Sequence, residues 1–184
     1  MNIARTLLPL CAAATLLVAG CSDSGDTATP TTTVSSPVPP STSASAAANA
    51  APVPNQLQFT ATTIDGAEFS GASLAGRRTV LWFWTPWCPT CQREASMIAE
   101  TADAYPDVQF VGVAAQDDVP AMREFVSEYG VKFPTIADTD GAVWQRFGVT
   151  AQPAFAFISK YSDVDIVPGT LSEADLAAQI AALG

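Results

Sequence analysis

The stretch that decides the fold is TVLWFWTPWCPTC, residues 79–91, which joins an apolar run to a pair of cysteines. Residues 79–84 show no alternation of polar and apolar side chains, which is typical of a strand covered on both faces. The pattern then changes to that of an amphipathic helix, and Cys88 and Cys91 fall at its start. A dithiol at such a junction can close a small disulfide ring while its first sulfur faces the positive end of the helix. The sequence therefore predicts redox chemistry at these two cysteines.

The two cysteines are expected to have different roles. Cys88 is predicted at the N-cap, with Pro89 at the first helical position, where its missing N–H costs nothing. The free amides of the first turn stabilise a thiolate, so Cys88 is expected to be the exposed, attacking sulfur. Cys91 lies one helical turn later, points toward the core, and is expected to be the resolving thiol. A purely structural disulfide is the alternative, although so tight a loop constrains the unfolded chain little.

Strands and helices are predicted to alternate through one domain at residues 56–184. A small hairpin is expected at residues 57–62 and 68–70, around the turn signal Asp65-Gly66. The cysteine helix should end before Pro106. Periodicity then predicts a strand, a helix, a short strand, a brief helix, an antiparallel strand pair and a last helix, at 108–114, 118–130, 135–137, 143–147, 154–158, 164–167 and 172–183. This order predicts an α/β fold with a central mixed sheet and helices on both faces.

The N-terminal residues have the features of an export signal. Residues 1–20 contain one early cation, Arg5, and an apolar run that is short for a membrane span, so they predict a secretory signal peptide. The small residues immediately before Cys21 resemble the bacterial lipoprotein signal, and Cys21 is therefore expected to carry lipid. An unlipidated secreted protein with Cys21 left over is the alternative.

Residues 21–55 are rich in Ser, Thr, Ala and Pro and poor in large apolar side chains. Such a segment cannot bury enough surface to offset its ordering entropy, so it predicts a disordered tether behind the lipid anchor. Cys11 would be discarded with the signal peptide. Cys88 and Cys91 would then be the free thiols of the mature chain, in a compartment where disulfides persist.

Charge and composition exclude several classes of function. The chain has 8 Lys+Arg against 18 Asp+Glu, a formal net charge of −10, and no histidine. Nucleic acid is not an expected partner, because phosphate binding depends on clusters of cations. The absence of histidine excludes Ser-His-Asp triads, Cys-His nucleophiles and His-ligated metals. Two cysteines alone make a poor zinc site, so no metal and no cofactor are expected.

Several segments together resemble the thioredoxin superfamily, in particular its exported TlpA-, ResA-, DsbE- and DsbF-like thiol-disulfide oxidoreductases. The resemblance covers nearly all of residues 56–184 and implies the thioredoxin-like fold, with the hairpin as an N-terminal extension. A CxxC flanked by aromatic residues and followed far downstream by a proline is more specific than a lone CxxC. The matching segments are FWTPWCPTC at 83–91, Glu94, Phe133-Pro134, the stretch 138–148 and VTAQPAF at 149–155.

The resemblance also implies a substrate-binding surface. Pro153 corresponds to the proline that in this superfamily follows a cis peptide bond and packs beside the two sulfurs. With a cis Gln152–Pro153 bond, the backbone of Gln152 would pair with an extended substrate strand. An ordinary trans proline entering an edge strand is the alternative, because cis X-Pro bonds are rare. Trp87 and Pro89 are expected to contact substrate, whereas Trp84 belongs either to this apolar rim or to the core.

Glu94 is the candidate proton-transfer group. It lies three residues past Cys91 and shares its helix face. TlpA- and ResA-type members have an acid at this position, which implies that Glu94 accepts or returns the proton of Cys91. General thioredoxins instead have a buried Asp in the preceding strand, where this chain has Trp82. An exposed Glu that is favoured in the first turn by the helix dipole is the alternative.

These observations predict an extracytoplasmic thiol-disulfide oxidoreductase that is anchored to the cell membrane through lipid on Cys21. Its expected partners are exported proteins with thiols or disulfides and a membrane redox partner. Oxidation of clients is favoured over reduction, because the compartment is oxidising and the resemblance to DsbE- and DsbF-like proteins is strongest. Reduction of apocytochrome c or of another specific client is the second hypothesis.

Two further functions stay open. A peroxiredoxin-like thiol peroxidase is one, because Thr85 stands three residues before Cys88 as the motif of those enzymes requires. Leu81, however, occupies the position where that motif has proline. A lipid-anchored binding module without redox turnover is the other, since a fold does not dictate an activity.

Overall fold

Seven strands and four helices make up residues 53–184, the part of the chain that the computed structural model describes. Two 3-10 turns, Asn55–Leu57 and Gly71–Leu74, flank the first strands. The strands are β1 Thr60–Thr62, β2 Glu68–Ser70, β3 Thr79–Trp84, β4 Gln109–Ala115, β5 Thr135–Asp138, β6 Ala154–Ile158 and β7 Val164–Pro168. The helices are α1 Pro89–Ala104, α2 Val119–Glu128, α3 Ala142–Phe147 and α4 Glu173–Ala181.

A mixed five-stranded sheet with the order β5-β4-β3-β6-β7 forms the centre of this region. The central strand β3 runs parallel to β4 and antiparallel to β6. All of its residues are buried, as the lack of polar alternation predicted. β1 and β2 pair separately as an antiparallel hairpin. The predicted α/β class, with a mixed sheet and an N-terminal hairpin, is confirmed.

Alternate residues of β3 divide the core between the two faces of the sheet. Trp82 and Trp84 belong to one buried cluster, which includes apolar residues of α1, α2 and α4. Leu81 and Phe83 belong to the other cluster, which includes residues of α3 and Phe69 of the hairpin. Helices therefore cover both faces, and the side chains beneath the cysteines come from the first cluster.

The helices begin where the sequence predicted caps. The Asp118 carboxylate accepts the N–H of Ala121 at 2.9 Å at the start of α2. The Ser172 hydroxyl accepts the N–H of Asp175 at 3.2 Å at the start of α4. Each bond satisfies one of the amides that a helix leaves unpaired at its N-terminus. These caps therefore fix the residues at which α2 and α4 begin.

The first predicted strand is wrong at its N-terminal end. Leu57 lies in a 3-10 turn, where its N–H donates to the carbonyl of Pro54 at 2.9 Å. The strand itself spans only Thr60–Thr62. Leu57 is fully buried in the cluster on the α3 face of the sheet. Tertiary burial of this side chain therefore overrides the alternating pattern of the local sequence.

The N-terminal predictions fall outside the described residues. They comprise the signal peptide at 1–20, the lipid site at Cys21 and nearly all of the tether at 21–55. Within residues 53–184 no helix combines the length and the apolar composition needed to cross a bilayer.

At Gly112 the backbone of β4 packs closely against the side chains of Thr135 and Trp84. A Cβ at this position of β4 would lie 2.6 Å from Thr135 Oγ1 and 3.0 Å from Trp84 Nε1. We expect Gly112→Ala to lower the free energy of unfolding by about 1–3 kcal/mol, because overpacking displaces neighbouring side chains. Urea denaturation measures this loss.

The double variant Gly112→Ala/Thr135→Ala is the control, because it removes the side-chain atoms nearest to the new methyl group. It should be less destabilised than the sum of the two single variants. Strict additivity of the two losses would contradict the proposed clash.

Candidate active site

The two cysteines lie where β3 leaves the sheet and α1 begins. The Cys88 N–H donates to the carbonyl of Thr85 at 3.2 Å, which closes the turn between strand and helix. Cys88 is the N-cap of α1, and Pro89 occupies the first turn, as predicted. Both cysteines are free thiols in the structure.

The Cys88 sulfur accepts a hydrogen bond from the N–H of Cys91 at 3.2 Å. This amide is one of those without an intrahelical partner at the start of α1, so an N–H donor and the positive end of the helix dipole both face Cys88 Sγ. The prediction of an exposed sulfur needs correction, because Cys88 is only 5% exposed. It lies at the margin of the apolar cluster that also contains Cys91, and this packing covers most of its surface.

Cys91 is fully buried, as expected of a resolving thiol. Burial raises the pKa of this thiol well above its ordinary value, and its hydrogen bond with Cys88 raises it further. The backbone of Thr85 acts in the opposite direction, whereas negative charge on Cys88 or Glu94 adds to the increase. Cys91 is therefore a protonated thiol at neutral pH, and its reaction requires a nearby proton acceptor.

The side chain of Glu94 is buried behind Cys91 and retains 7% exposure. Its Oε1 accepts the indole N–H of Trp82 at 2.9 Å, and Oε2 has no hydrogen-bond partner among residues 53–184. Burial raises the pKa of Glu94 to about 7, although the Trp82 hydrogen bond and the charge of Arg93 both lower it. The alternative of an exposed surface Glu is wrong, because this carboxyl faces the apolar cluster rather than solvent.

Sheet register brings Pro153 to the same edge as the cysteines. β3 ends and β6 begins at this edge, and Phe83 lies opposite Ala154. Pro153, which precedes Ala154, is therefore adjacent to the point where β3 turns toward Cys88. The Gln152–Pro153 bond is cis, as the resemblance implied.

Two grooves are both lined by the segment 148–150, which leads to Pro153. One, of about 430 Å³, is lined by residues 148–154 together with parts of β7. The other, of about 510 Å³, is lined by the last residue of β4, by Gln116 after it and by residues of α3. Gln152 and Pro153 line the first of these grooves, which therefore offers space for an extended chain beside Pro153.

Trp87 and Trp84 have opposite environments. Trp87 is 52% exposed, and its indole N–H donates to the carbonyl of Gln116 at 3.2 Å. Gln116 has a left-handed backbone (φ 57°), which orients this carbonyl at the end of β4. Trp84 is fully buried and stacks on Phe125 with the ring centroids 4.1 Å apart. Trp84 is therefore a core residue, and Trp87 forms the rim.

Sequence reasoning missed the roles of Trp82 and Gln116 at this site. Trp82 stands where general thioredoxins have a buried Asp, and that difference was the available signal for its bond to Glu94. Gln116 follows a parallel strand, and residues at the carboxyl ends of such strands meet at one edge. Nothing in the local sequence indicated its left-handed backbone or its bond to Trp87.

A dithiol at a helix N-terminus, a buried carboxyl behind it and a cis proline on the adjoining strand define this chain as a thioredoxin-like thiol-disulfide oxidoreductase. The profile of the Redoxin family matches residues 25–165. The chain belongs to the Redoxin family.

Relatives agree with this class. The chain is 47% identical over 131 residues to the soluble secreted antigen MPT53 of Mycobacterium tuberculosis, which covers 70% of this chain and 76% of the relative. The structure of DsbF from the same organism, in mixed oxidised and reduced forms, superposes with a TM-score of 0.71 at 54% identity. That match covers 72% of this chain and 100% of DsbF.

A second solved structure is a secreted Mycobacterium tuberculosis disulfide oxidoreductase that is homologous to Escherichia coli DsbE. It gives a TM-score of 0.67 at 47% identity, and the match covers 69% of this chain and 97% of the other. At these identities the likeness extends from the fold to the class of enzyme.

The buried carboxyl of Glu94 should make stability depend on pH. Its pKa is raised from 4.5 to about 7 by folding, so the folded state binds more protons between these values. The free energy of unfolding should therefore fall as pH rises from about 4.5 to about 7, by up to about 3 kcal/mol. Urea denaturation of the reduced protein at pH 5 and pH 8 measures this difference.

Glu94→Gln should remove most of this pH dependence, because the amide does not titrate. The matched control is Glu100→Gln, on the exposed face of the same helix, which should keep the wild-type dependence. An equal pH dependence in wild type and Glu94→Gln would show that the carboxyl is not buried as described.

Proposed function

We propose that this protein is an extracytoplasmic enzyme that forms disulfides in exported proteins through Cys88 and Cys91. The observation that carries the proposal is the 3.2 Å hydrogen bond from the Cys91 N–H to Cys88 Sγ, at the sheet edge that also carries Pro153. It distinguishes a sulfur that accepts a backbone amide at the helix cap, and is proposed to attack, from a fully buried one that is proposed to resolve. The relative MPT53 is a secreted antigen, which supports a location outside the cytoplasm.

Client oxidation proceeds in two exchanges. A client thiolate attacks Cys88 of the enzyme disulfide, so the Cys88–Cys91 bond breaks and Cys91 leaves with the electron pair. A second client thiolate then attacks the client sulfur of the mixed disulfide, which closes the client disulfide and releases the Cys88 thiolate. Two electrons pass from client to enzyme. A membrane redox partner has to reoxidise the dithiol after each cycle.

Glu94 supplies the proton that this cycle requires at Cys91. When Cys91 leaves as a thiolate, the protonated carboxyl returns a proton to it; in the reverse exchange the carboxylate removes that proton. A pKa near 7 allows both forms to be populated at neutral pH, which suits a group that acts as acid and base.

The client segment is proposed to lie extended along Pro153. The backbone of Gln152 pairs with it, as in strand addition, while the exposed Trp87 and Pro89 contact apolar client side chains. The cis Gln152–Pro153 bond, the half-buried Gln152 and the groove lined by residues 148–154 support this placement.

Membrane attachment through lipid on Cys21 is part of the proposal. The apolar run that ends in small residues before Cys21 supports it, and the Ser/Thr/Pro-rich residues 21–55 would give the domain reach from the membrane surface.

Clients should be captured by the variant Cys91→Ser. In the cells that produce the protein, the Cys88 thiolate of this variant can attack client disulfides in the reverse exchange, and without Cys91 no enzyme thiol releases the resulting mixed disulfide, so exported proteins should remain attached to Cys88. Non-reducing gels followed by mass spectrometry of the adducts measure the capture. Cys88→Ser is the matched control and should capture far less; equal capture by both variants would contradict the proposed order of attack.

The direction of electron flow should appear in the reduction potential. A glutathione titration of the Cys88/Cys91 couple, followed by thiol alkylation, is expected to give a value above about −200 mV, as for oxidising members of this superfamily. A potential near that of thioredoxin, about −270 mV, would instead favour the reductase that matures apocytochrome c or another client.

Replacement of Cys21 tests the anchor. Cys21→Ser should move the protein from the membrane fraction to the soluble fraction and abolish the lipid mass on the mature N-terminus. Cys11→Ser lies within the predicted signal peptide and should leave anchoring unchanged. Retention of Cys21→Ser in washed membranes would refute lipid anchoring at this residue.

A further inference from the structure

Trp82 and Glu94 form a buried pair behind the resolving cysteine. Trp82 is fully buried in β3, and its indole nitrogen lies 2.9 Å from Glu94 Oε1. An indole N–H is a donor that carries no charge and cannot accept a proton. The Glu94 carboxyl is thus held by a neutral group on the central strand. That group, Trp82, occupies the position where general thioredoxins have an acid.

The bond makes the two oxygens of Glu94 unequal. Oε1 is occupied by the indole donor, whereas Oε2 is buried and has no hydrogen-bond partner among residues 53–184. A proton on Oε1 would compete with the indole N–H for the same oxygen. The proton of the acid therefore resides on Oε2, which is the oxygen left free for exchange with a neighbour.

We propose that Trp82 is a positioning residue, which holds Glu94 by Oε1 so that Oε2 exchanges the proton of Cys91 during disulfide exchange. The inference rests on the proposed role of Glu94 and adds the residue that sets its orientation. Glu94 stands one helical turn from Cys91, and its charge acts on the Cys91 thiol, so the two groups are neighbours on α1.

The Trp82 indole is the main polar contact of the Glu94 carboxyl. The charged group that acts on Glu94 is Arg93, and Glu94 in turn acts on the Cys91 thiol; both residues lie on α1. The residues that α2 and α4 contribute to the same buried cluster are apolar, namely Met122, Phe125, Leu176 and Ile180. Burial keeps the pKa of Glu94 near 7, and the indole donor prevents it from rising further.

Trp84 provides a matched control for Trp82. It lies two residues later on the same face of β3, is also fully buried, and stacks on Trp82 with the ring centroids 5.5 Å apart. Its indole nitrogen has no hydrogen-bond partner among the described residues. Trp84→Phe therefore removes the same atoms from the same core as Trp82→Phe without removing a donor to Glu94.

The test uses the reduced protein with a small aromatic disulfide, Ellman's reagent. One coloured thiolate is released when Cys88 attacks the reagent, and a second when Cys91 resolves the mixed disulfide. For Trp82→Phe we expect the second release to slow about fivefold at pH 7, with its pH midpoint raised by about one unit, because loss of the donor favours the protonated acid. The first release should be unchanged.

Trp84→Phe should leave both releases as in wild type. In a Glu94→Gln background, Trp82→Phe should cause no further change in the second release. An unchanged midpoint in Trp82→Phe, or an equal shift in Trp84→Phe, would overturn the proposal.

A measurement on wild type covers the case in which Trp82→Phe does not fold. The ¹⁵N-labelled indole signal of Trp82 should shift with a midpoint near pH 7 and lose this titration in Glu94→Gln. If the Trp82 indole signal does not change with pH, the proposed role of Trp82 is overturned. Because these readouts need no client, failure of client capture by Cys91→Ser would count against exchange with exported proteins alone.

Discussion

The whole site depends on β3 being hydrogen-bonded on both sides, to β4 and to β6. A strand that is central and buried on both faces cannot shift register without moving its apolar side chains out of both clusters. Its end is therefore a fixed point, from which the chain turns into α1 at Cys88. The same pairing places Pro153 beside that turn and sets the depth of the Trp82 indole beneath it.

Chemical asymmetry between the two sulfurs follows from this arrangement. Cys88 is at the helix cap, where a backbone amide donates to its sulfur and a small part of its surface remains exposed. Cys91 points into the apolar cluster, where burial disfavours its thiolate. One helical turn thus separates a sulfur that accepts a backbone amide from one whose thiolate is disfavoured by burial. In the proposed cycle the buried acid Glu94, held by a neutral donor, exchanges the proton of Cys91.

Much of this site was predictable because its signals are local. The cap at Cys88, the proline at the first turn and the unbroken apolar run of β3 all concern residues that are adjacent in the chain. The cis bond before Pro153 was implied only by resemblance, since no local rule distinguishes it from a trans bond. The burial of Cys88 and Glu94 and the bond between Trp87 and the Gln116 carbonyl were not predictable, because their partners come from separate elements.

By itself, the sequence determined the order of strands and helices and the central place of residues 79–84. It also identified Cys88 and Cys91 as the candidate redox residues. It did so through hydrophobic period and cap residues, which act over a few positions of chain. Only the tertiary structure decided that Glu94 is buried, that its partner is Trp82 and that Trp84 belongs to the core. Burial depends on which surfaces the packed elements cover, and that is settled only when α1 lies against β3.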